Sequence, residues 1–323
     1  MSSVEWMPNA LIFGVTGYTG STLARWLIQR GWSVRGIGRS DTAAADLEDL
    51  GVEVEIADVA EPDELQGIGR ADDHVFYLVG SVNGARAWID RVCLEGVMAA
   101  EASLANTGIA SFVLIQTLAP YGAGLPGPIG EDTPDRPNSH LGRVSVRAET
   151  HLREVSRQRN FPVRFVRAGT IYGPGRRTIR SMRNGRLRLI GGGSNTASRI
   201  HVSDLAKVLQ AVAERGRNGE IYLAVDDLPI SLATYFDRLA ERAEVPAPGS
   251  TPRWLAQLII KFFGVTSLVT RGHVPLSHNL YALVTANYEC VNSKVREELG
   301  VHLTYPTYVE GIESLLDEDD KDA

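Results

Sequence analysis

From Ala10 to Tyr172 the chain alternates short apolar runs with longer stretches in which apolar residues recur every three or four positions. The runs ALIFGVTG, SVRGIGRS, VEVEIADV, HVFYLVG, ASFVLIQTL and PVRFVRAGTIYG are bounded by glycine or polar turns, and predict six strands. Between them TLARWLIQRG, IDRVCLEGVMAAEASLANTG and SVRAETHLREVSRQR carry helical periodicity, the first two ending at Gly31 and Gly108. Strands that are apolar throughout and separated by helices predict a parallel sheet covered on both faces, an α/β doubly wound arrangement. Beyond residue 176 the pattern loosens into loops rich in Gly, Pro and Arg, with helices predicted at HVSDLAKVLQAVAER, SLATYFDRLAER and TPRWLAQLIIKFF. The acidic tail LDEDDKDA is expected to fray.

Composition narrows the picture by exclusion. The 323 residues are 44% hydrophobic and 22% charged, ordinary values for a globular protein. A formal net charge of -6 gives no electrostatic reason to expect nucleic acid as partner. Cys93 and Cys290 stand far apart, and the seven histidines are scattered without a helical pair, so neither a disulfide framework nor a metal site is expected. The opening MSSVEWMPNA lacks a basic, apolar signal pattern, and the longest apolar stretch, WLAQLIIKFFG, is too short to span a bilayer and reads as a buried or lid helix. Together these predict a cytoplasmic protein with no membrane partner.

Candidate chemistry begins at LIFGVTGYTGSTLARWL. Gly14, Gly17 and Gly20 fall three apart, directly after a strand and at the opening of a helix. Glycine lets the backbone approach a diphosphate, and the helix start supplies unpaired amides and the positive dipole end. The G-x-x-G-x-x-G spacing resembles the short-chain dehydrogenase/reductase superfamily. IADVAEPDEL, VFYLVG, QTLAPYG, GEDTPDRP, VRAGTIYGPG and RIHVSDLAKVL resemble further motifs of its extended branch, the NAD-dependent epimerase/dehydratase-like proteins. The resemblance runs from about Ala10 to Gly300. It implies a doubly wound parallel Rossmann sheet with a small C-terminal substrate lobe. Residues 1–175 would form the NAD(P)-binding domain, with 199–228 returning to it through EIYLAV, and 176–198 with 229–315 would build the lobe. It implies cofactor contacts from Gly14, Thr16, Gly17, Tyr18, Thr19, Gly20, Asp58, Val59, Val79, Gly80 and Ala168, with Asp58 facing the adenine. Many such proteins dimerise through two helices, here RVCLEGVMAAEASL and SVRAETHLREV, so a homodimer is an expectation by analogy.

Family members that prefer NAD carry an acid at the end of the second strand. Here Gly38 stands at that position, followed by Arg39. A guanidinium there would pair with a 2'-phosphate, which points to NADP over NAD; Arg39 covering the adenine face would suit either.

The catalytic frame of extended members reads PxSPYGxSKxxxE, and PNSHLGRVSVRAE matches it at Pro137, Ser139, Gly142 and Glu149. The Tyr position is Leu141 and the Lys position is Ser145, and no lysine occurs before Lys207. The frame is present and its proton-transfer pair is absent. Thr117 holds the family's active-site hydroxyl position, able to bind a carbonyl but a poor unaided acid. Tyr121 and His140 are the remaining catalytic candidates, Tyr121 with a mainly structural or substrate-facing family role and His140 read as an exposed loop residue. Arg143 or Arg147 could replace the lost charge, although both sit off the 141/145 face.

Finally, GPGRRTIRSMRNGRLRLIGGG carries Arg176, Arg177, Arg180, Arg183, Arg186 and Arg188 without an acid. Arg176 and Arg180, with Arg199 further on, are candidate ligands for a phosphate or carboxylate of a small or nucleotide-linked substrate. A solvated basic face and an RNA-backbone patch are the alternatives, the latter opposed by the overall acidity and the lack of interleaved aromatics. Two functions follow: an NADP-dependent oxidoreductase or epimerase-type enzyme with an altered proton donor, or a catalytically inactive NADP-binding sensor or regulator.

Overall fold

The computed structural model describes residues 7–125, 127–266 and 276–319. Its centre is a seven-stranded sheet built from β1 (Asn9–Phe13), β2 (Ser33–Gly38), β3 (Glu53–Ile56), β4 (Asp73–Tyr77), β5 (Ser111–Thr117), β6 (Val163–Ala168) and a late strand, Ile221–Ala224, in the spatial order late strand, β6, β5, β4, β1, β2, β3. Every pairing in it is parallel. The α/β doubly wound Rossmann sheet is therefore observed, with Ile221–Ala224 pairing beside β6.

Helices α1 (Tyr18–Ile28), α2 (Asp41–Glu48), α3 (Arg86–Asp90), α4 (Gly96–Leu104) and α5 (His140–Arg159) connect these strands. Two apolar clusters sandwich the sheet. One joins Leu23 and Leu27 of α1 to Leu205, Leu209 and Val212; the other joins Val97 and Leu104 of α4 to Val144, Ala148 and Leu152 of α5. The helix predicted continuously over IDRVCLEGVMAAEASL is interrupted by a turn of π-helix at Arg91–Glu95. The buried Tyr77 hydroxyl donates to the Val92 carbonyl at 2.7 Å, and Gly96 makes room for it, since a Cβ there would lie 2.5 Å from that oxygen.

The sixth predicted strand divides at Gly169 into β6 and β7 (Thr170–Tyr172), because an added Cβ at Gly169 would come within 2.6 Å of the Ser198 carbonyl. The chain then runs through α6 (Thr178–Arg183), β8 (Arg188–Ile190), β9 (Thr196–Ala197) and β10 (Arg199–His201), which pairs with β7, to α7 (Val202–Arg215). The late sheet strand is β11, followed by β12 (Ile230–Ser231), α8 (Leu232–Arg242), β13 (Gly249–Thr251), α9 (Arg253–Thr266), α10 (His278–Thr285), α11 (Ser293–Leu299) and α12 (Tyr308–Asp319). Val295, Leu299 and Val301 join the α1/α7 core, so the stretch 229–315 expected as lobe sends α11 back to the sheet. A buried α9 is not what the structure has: Ala256 is buried, but Trp254 and Leu258 are 68% and 56% exposed. The acidic tail past Asp319 lies outside the described residues. No helix among the described residues is long and apolar enough to cross a membrane.

Candidate functional site

The sequence places three glycines between β1 and α1, and the structure gives each a different reason. Gly14 has φ of +82°, a conformation that costs an L-residue, and its amide donates to Ile37 at 2.8 Å. A Cβ on Gly20 would sit 2.1 Å from the Gly14 carbonyl, so that glycine lets the helix close on the turn. Gly17 is exposed, has ordinary extended φ and ψ, and caps α1 without a side-chain hydrogen bond or any acid in the first turn. The start of α1 thus has no side-chain cap and no acid in its first turn, which suits an anion there. Val79 packs beside Gly14, the exposed Gly80 opens on free space, and Ala168 ends β6 level with Thr117. These residues fit a dinucleotide diphosphate.

At the other end of the cradle, a Cβ on Gly38 would lie 2.7 Å from Thr16 Cγ2, so the Thr16 side chain would have to shift. The absence of an acid at that position therefore has a steric reason besides any cofactor preference. Arg39 is 60% exposed, with its guanidinium 3.9 Å from Asp58 Oδ2 and 5.3 Å from the centre of the Trp88 ring. Asp58 Oδ1 accepts from Ala60 N at 3.0 Å, and the neighbouring Val59 is buried. Trp88, on α3, was not legible as a site residue, because only the fold carries α3 across to the end of β2.

The segment PNSHLGRVSVRAE opens α5, and three of its matching residues, Ser139, Gly142 and Glu149, have structural roles. Ser139 caps the helix, its hydroxyl accepting from Gly142 N at 3.1 Å. Gly142 rests on the turn after β5, where an added Cβ would approach the Ala119 carbonyl to 2.4 Å. Glu149 binds the fully buried Arg167 through two hydrogen bonds of 2.8 and 2.9 Å, while Asp135 holds the same guanidinium at 2.7 and 3.2 Å. Burial works against the Arg167 charge, but the two carboxylates more than offset it and hold its pKa above the ordinary value. Gln116 Nε2 donates to the Ser145 carbonyl at 3.0 Å, and Asn279 of α10 accepts from Leu141 N at 3.0 Å. Leu141 and Ser145 themselves are buried.

The three catalytic candidates separate. Thr117 Oγ1 accepts from Ala119 N at 3.2 Å, an arrangement that leaves its own proton to donate. Tyr121 is fully buried; its hydroxyl donates to the Gly130 carbonyl at 3.2 Å, its ring lies 4.6 Å beneath the Arg167 guanidinium, and burial pushes its pKa up. Its hydroxyl and ring are thus both engaged within the interior. His140 is not an exposed loop residue: it is the first residue of α5, with a side chain 19% exposed and Nε2 3.2 Å from Asp90 Oδ1, although the pair lacks hydrogen-bonding angles.

The arginines separate too. Arg177, Arg180 and Arg186, with Ser181 and Asn184, line an open cavity of about 250 Å³. Arg176 lies instead at the cradle, its guanidinium 4.3 Å from the centre of the Tyr18 ring. Arg199 is buried, with Nη1 donating to the Ala197 carbonyl at 2.9 Å and its guanidinium 4.3 Å from the Tyr235 ring, so it is not placed to reach a substrate. Asp226, also buried, has neither carboxylate oxygen hydrogen-bonded, and burial raises its pKa to about 7 despite Arg199 nearby.

A parallel doubly wound sheet with an open glycine cradle at the start of its first helix defines a dinucleotide-binding protein. The chain belongs to the NAD dependent epimerase/dehydratase family, whose model matches residues 10–224, and its cofactor class is a nicotinamide nucleotide. It is 25% identical over 321 residues to 4-hydroxy-2-methyl-3-oxo-4-farnesyl-3,4-dihydroquinoline-1-oxide ketoreductase of Stigmatella aurantiaca, covering 95% of each chain. Among solved structures it resembles a functionally unknown conserved protein of Silicibacter pomeroyi (TM-score 0.73, 28% identity, 97% of this chain and 99% of that one). It also shares its fold with UDP-glucose 4-epimerase of Thermotoga maritima, solved with UDP-glucose (TM-score 0.78, 17% identity, 97% and 99% coverage).

Proposed function

We propose that the protein is an NADP-dependent oxidoreductase of the carbonyl-reducing or epimerase type whose proton donor is no longer the family tyrosine. The nicotinamide supplies or accepts the hydride when bound. Gly14, Gly17, Tyr18, Thr19 and Gly20 hold the diphosphate, Thr16, Asp58, Val59 and Trp88 bound the adenosine end, and Val79, Gly80 and Ala168 flank the nicotinamide end. Arg39 supplies the charge that a 2'-phosphate would pair with, favouring NADP over NAD.

The observation that carries the reading is Thr117. Its oxygen is engaged by Ala119 N at 3.2 Å, which orients the hydroxyl proton outward to polarise a substrate carbonyl. The proton itself is assigned to His140, which starts the helix that rests on the same turn, with Asp90 Oδ1 3.2 Å from its Nε2. Arg180 and its cavity would take the anionic end of a small or nucleotide-linked substrate. The ketoreductase relative supports carbonyl chemistry, and the UDP-glucose held by the epimerase supports a nucleotide-linked substrate. A second reading, a catalytically inactive NADP-binding sensor or regulator, is favoured by the burial of Leu141 and Ser145 where the family acid and its lysine would stand.

Single-turnover NADPH oxidation across a panel of carbonyl compounds separates the two. On the enzyme reading the wild type oxidises NADPH with at least one of them, and His140→Ala slows that step about 10²- to 10⁴-fold. NADPH binding without oxidation by any carbonyl would establish the sensor. Oxidation unchanged in His140→Ala would keep the enzyme and remove His140 as donor.

A further inference from the structure

The side chain of Arg176 is separated from the other arginines of its stretch by a piece of backbone geometry. After β7 the chain turns through Gly173, whose φ is +141° and whose added Cβ would strike Val202 Cγ1 at 2.8 Å, Tyr18 Oη at 2.9 Å and His201 Nε2 at 3.1 Å. Only a residue without Cβ lets this turn dock against Tyr18. Three residues later the Arg176 guanidinium lies 4.3 Å from the Tyr18 ring centre, and no carboxylate among the described residues pairs with it. Tyr18 is the first residue of α1, directly after the exposed and uncapped Gly17.

We infer that Arg176 is a cofactor residue: it closes on the dinucleotide diphosphate at the start of α1. The inference rests on the dinucleotide reading above and moves Arg176 from substrate to cofactor. A guanidinium suits a diphosphate because it can bind two oxygens at once, and the Tyr18 ring fixes its position beforehand. Because α6 follows at once with the Arg180 cavity, the clamp also places cofactor and substrate lobe in direct contact.

The test is calorimetric titration of the full chain with NADP⁺, NAD⁺ and adenosine 2'-monophosphate, which lacks a diphosphate. Arg176→Ala should weaken both dinucleotides by the same factor, roughly 10- to 100-fold, and change adenosine 2'-monophosphate by less than about twofold. Arg176→Lys should recover part of the loss, and Tyr18→Ala with Arg176→Ala should be less than additive. Arg39→Ala provides the contrast, since it should weaken NADP⁺ and adenosine 2'-monophosphate and spare NAD⁺. Dinucleotide affinities unchanged in Arg176→Ala, with wild-type binding intact, would overturn the clamp alone. No dinucleotide binding by the wild type would overturn the cofactor reading and the clamp with it.

Discussion

The glycine cradle follows β1 and the α5 frame follows β5, with β4 between them in the sheet, and their residues divide differently between shaping the backbone and facing a ligand. In the cradle the residues that shape the backbone and the groups that would do the binding are both in place: Gly14 and Gly20 make the turn, and Gly17 leaves the helix start open. In the frame the matched residues Ser139, Gly142 and Glu149 are of the first kind. They cap, seat and anchor α5, while Leu141 and Ser145, at the positions the resemblance gives to Tyr and Lys, are buried. The difference shows that a motif is two overlaid patterns. One is held by packing and survives without chemistry. The other is held by chemistry alone and can be lost while the fold persists.

The largest effect should come from attacking the anchor of the frame. Arg167→Met leaves Glu149 buried and Asp135 beside it without their cation, and should destabilise the protein by about 3–5 kcal/mol in urea unfolding. Replacing Glu149 by Leu as well should return part of that loss. If Arg167→Met is as stable as the wild type, the frame is not held as described.

The cradle should respond in binding and not in folding. Gly17→Val adds a side chain whose Cβ meets only the Gly14 carbonyl, at 3.2 Å, on backbone any residue adopts, so the fold should persist while NADP affinity falls at least ~100-fold, about 3 kcal/mol. Gly20→Ala should do the reverse and lower the melting temperature first, since its Cβ has no space. Equal behaviour of the two variants would erase the distinction between opening and shaping glycines.

A smaller effect sharpens the comparison from outside both regions. Asp226 is held protonated up to about pH 7, so the folded state carries a proton that the unfolded chain has released above its ordinary 3.8. Its contribution to stability is present at low pH and is lost as pH rises through about 7. His201, lowered to about 4 by burial, acts with the opposite sign up to about its ordinary 6.5, which confines the visible decline to the neutral side. Stability should therefore drop by roughly 0.5 kcal/mol between pH 6 and pH 8. Asp226→Asn should flatten that decline and leave NADP affinity at the cradle unchanged.

The strands, the order of helices and the glycine turn were legible in the sequence because each depends on local periodicity or on a conformation only glycine adopts. That Leu141 and Ser145 carry no titrating proton was legible for the same local reason, since it is visible from residue identity. Arg176, Arg180 and Arg199 looked equivalent, and the fold sends them to the cradle, to an open cavity and to the interior. The burial of Tyr121 and the Asp90 neighbour of His140 were not legible, because both are set by segments distant in the chain. Trp88 joined the site only through the path of α3. The sequence by itself determined the class of fold and the existence of a dinucleotide cradle, since both are written in neighbouring residues. The tertiary structure alone decided which charged and aromatic groups reach that cradle, because burial and partner distance are set by segments far apart in the chain.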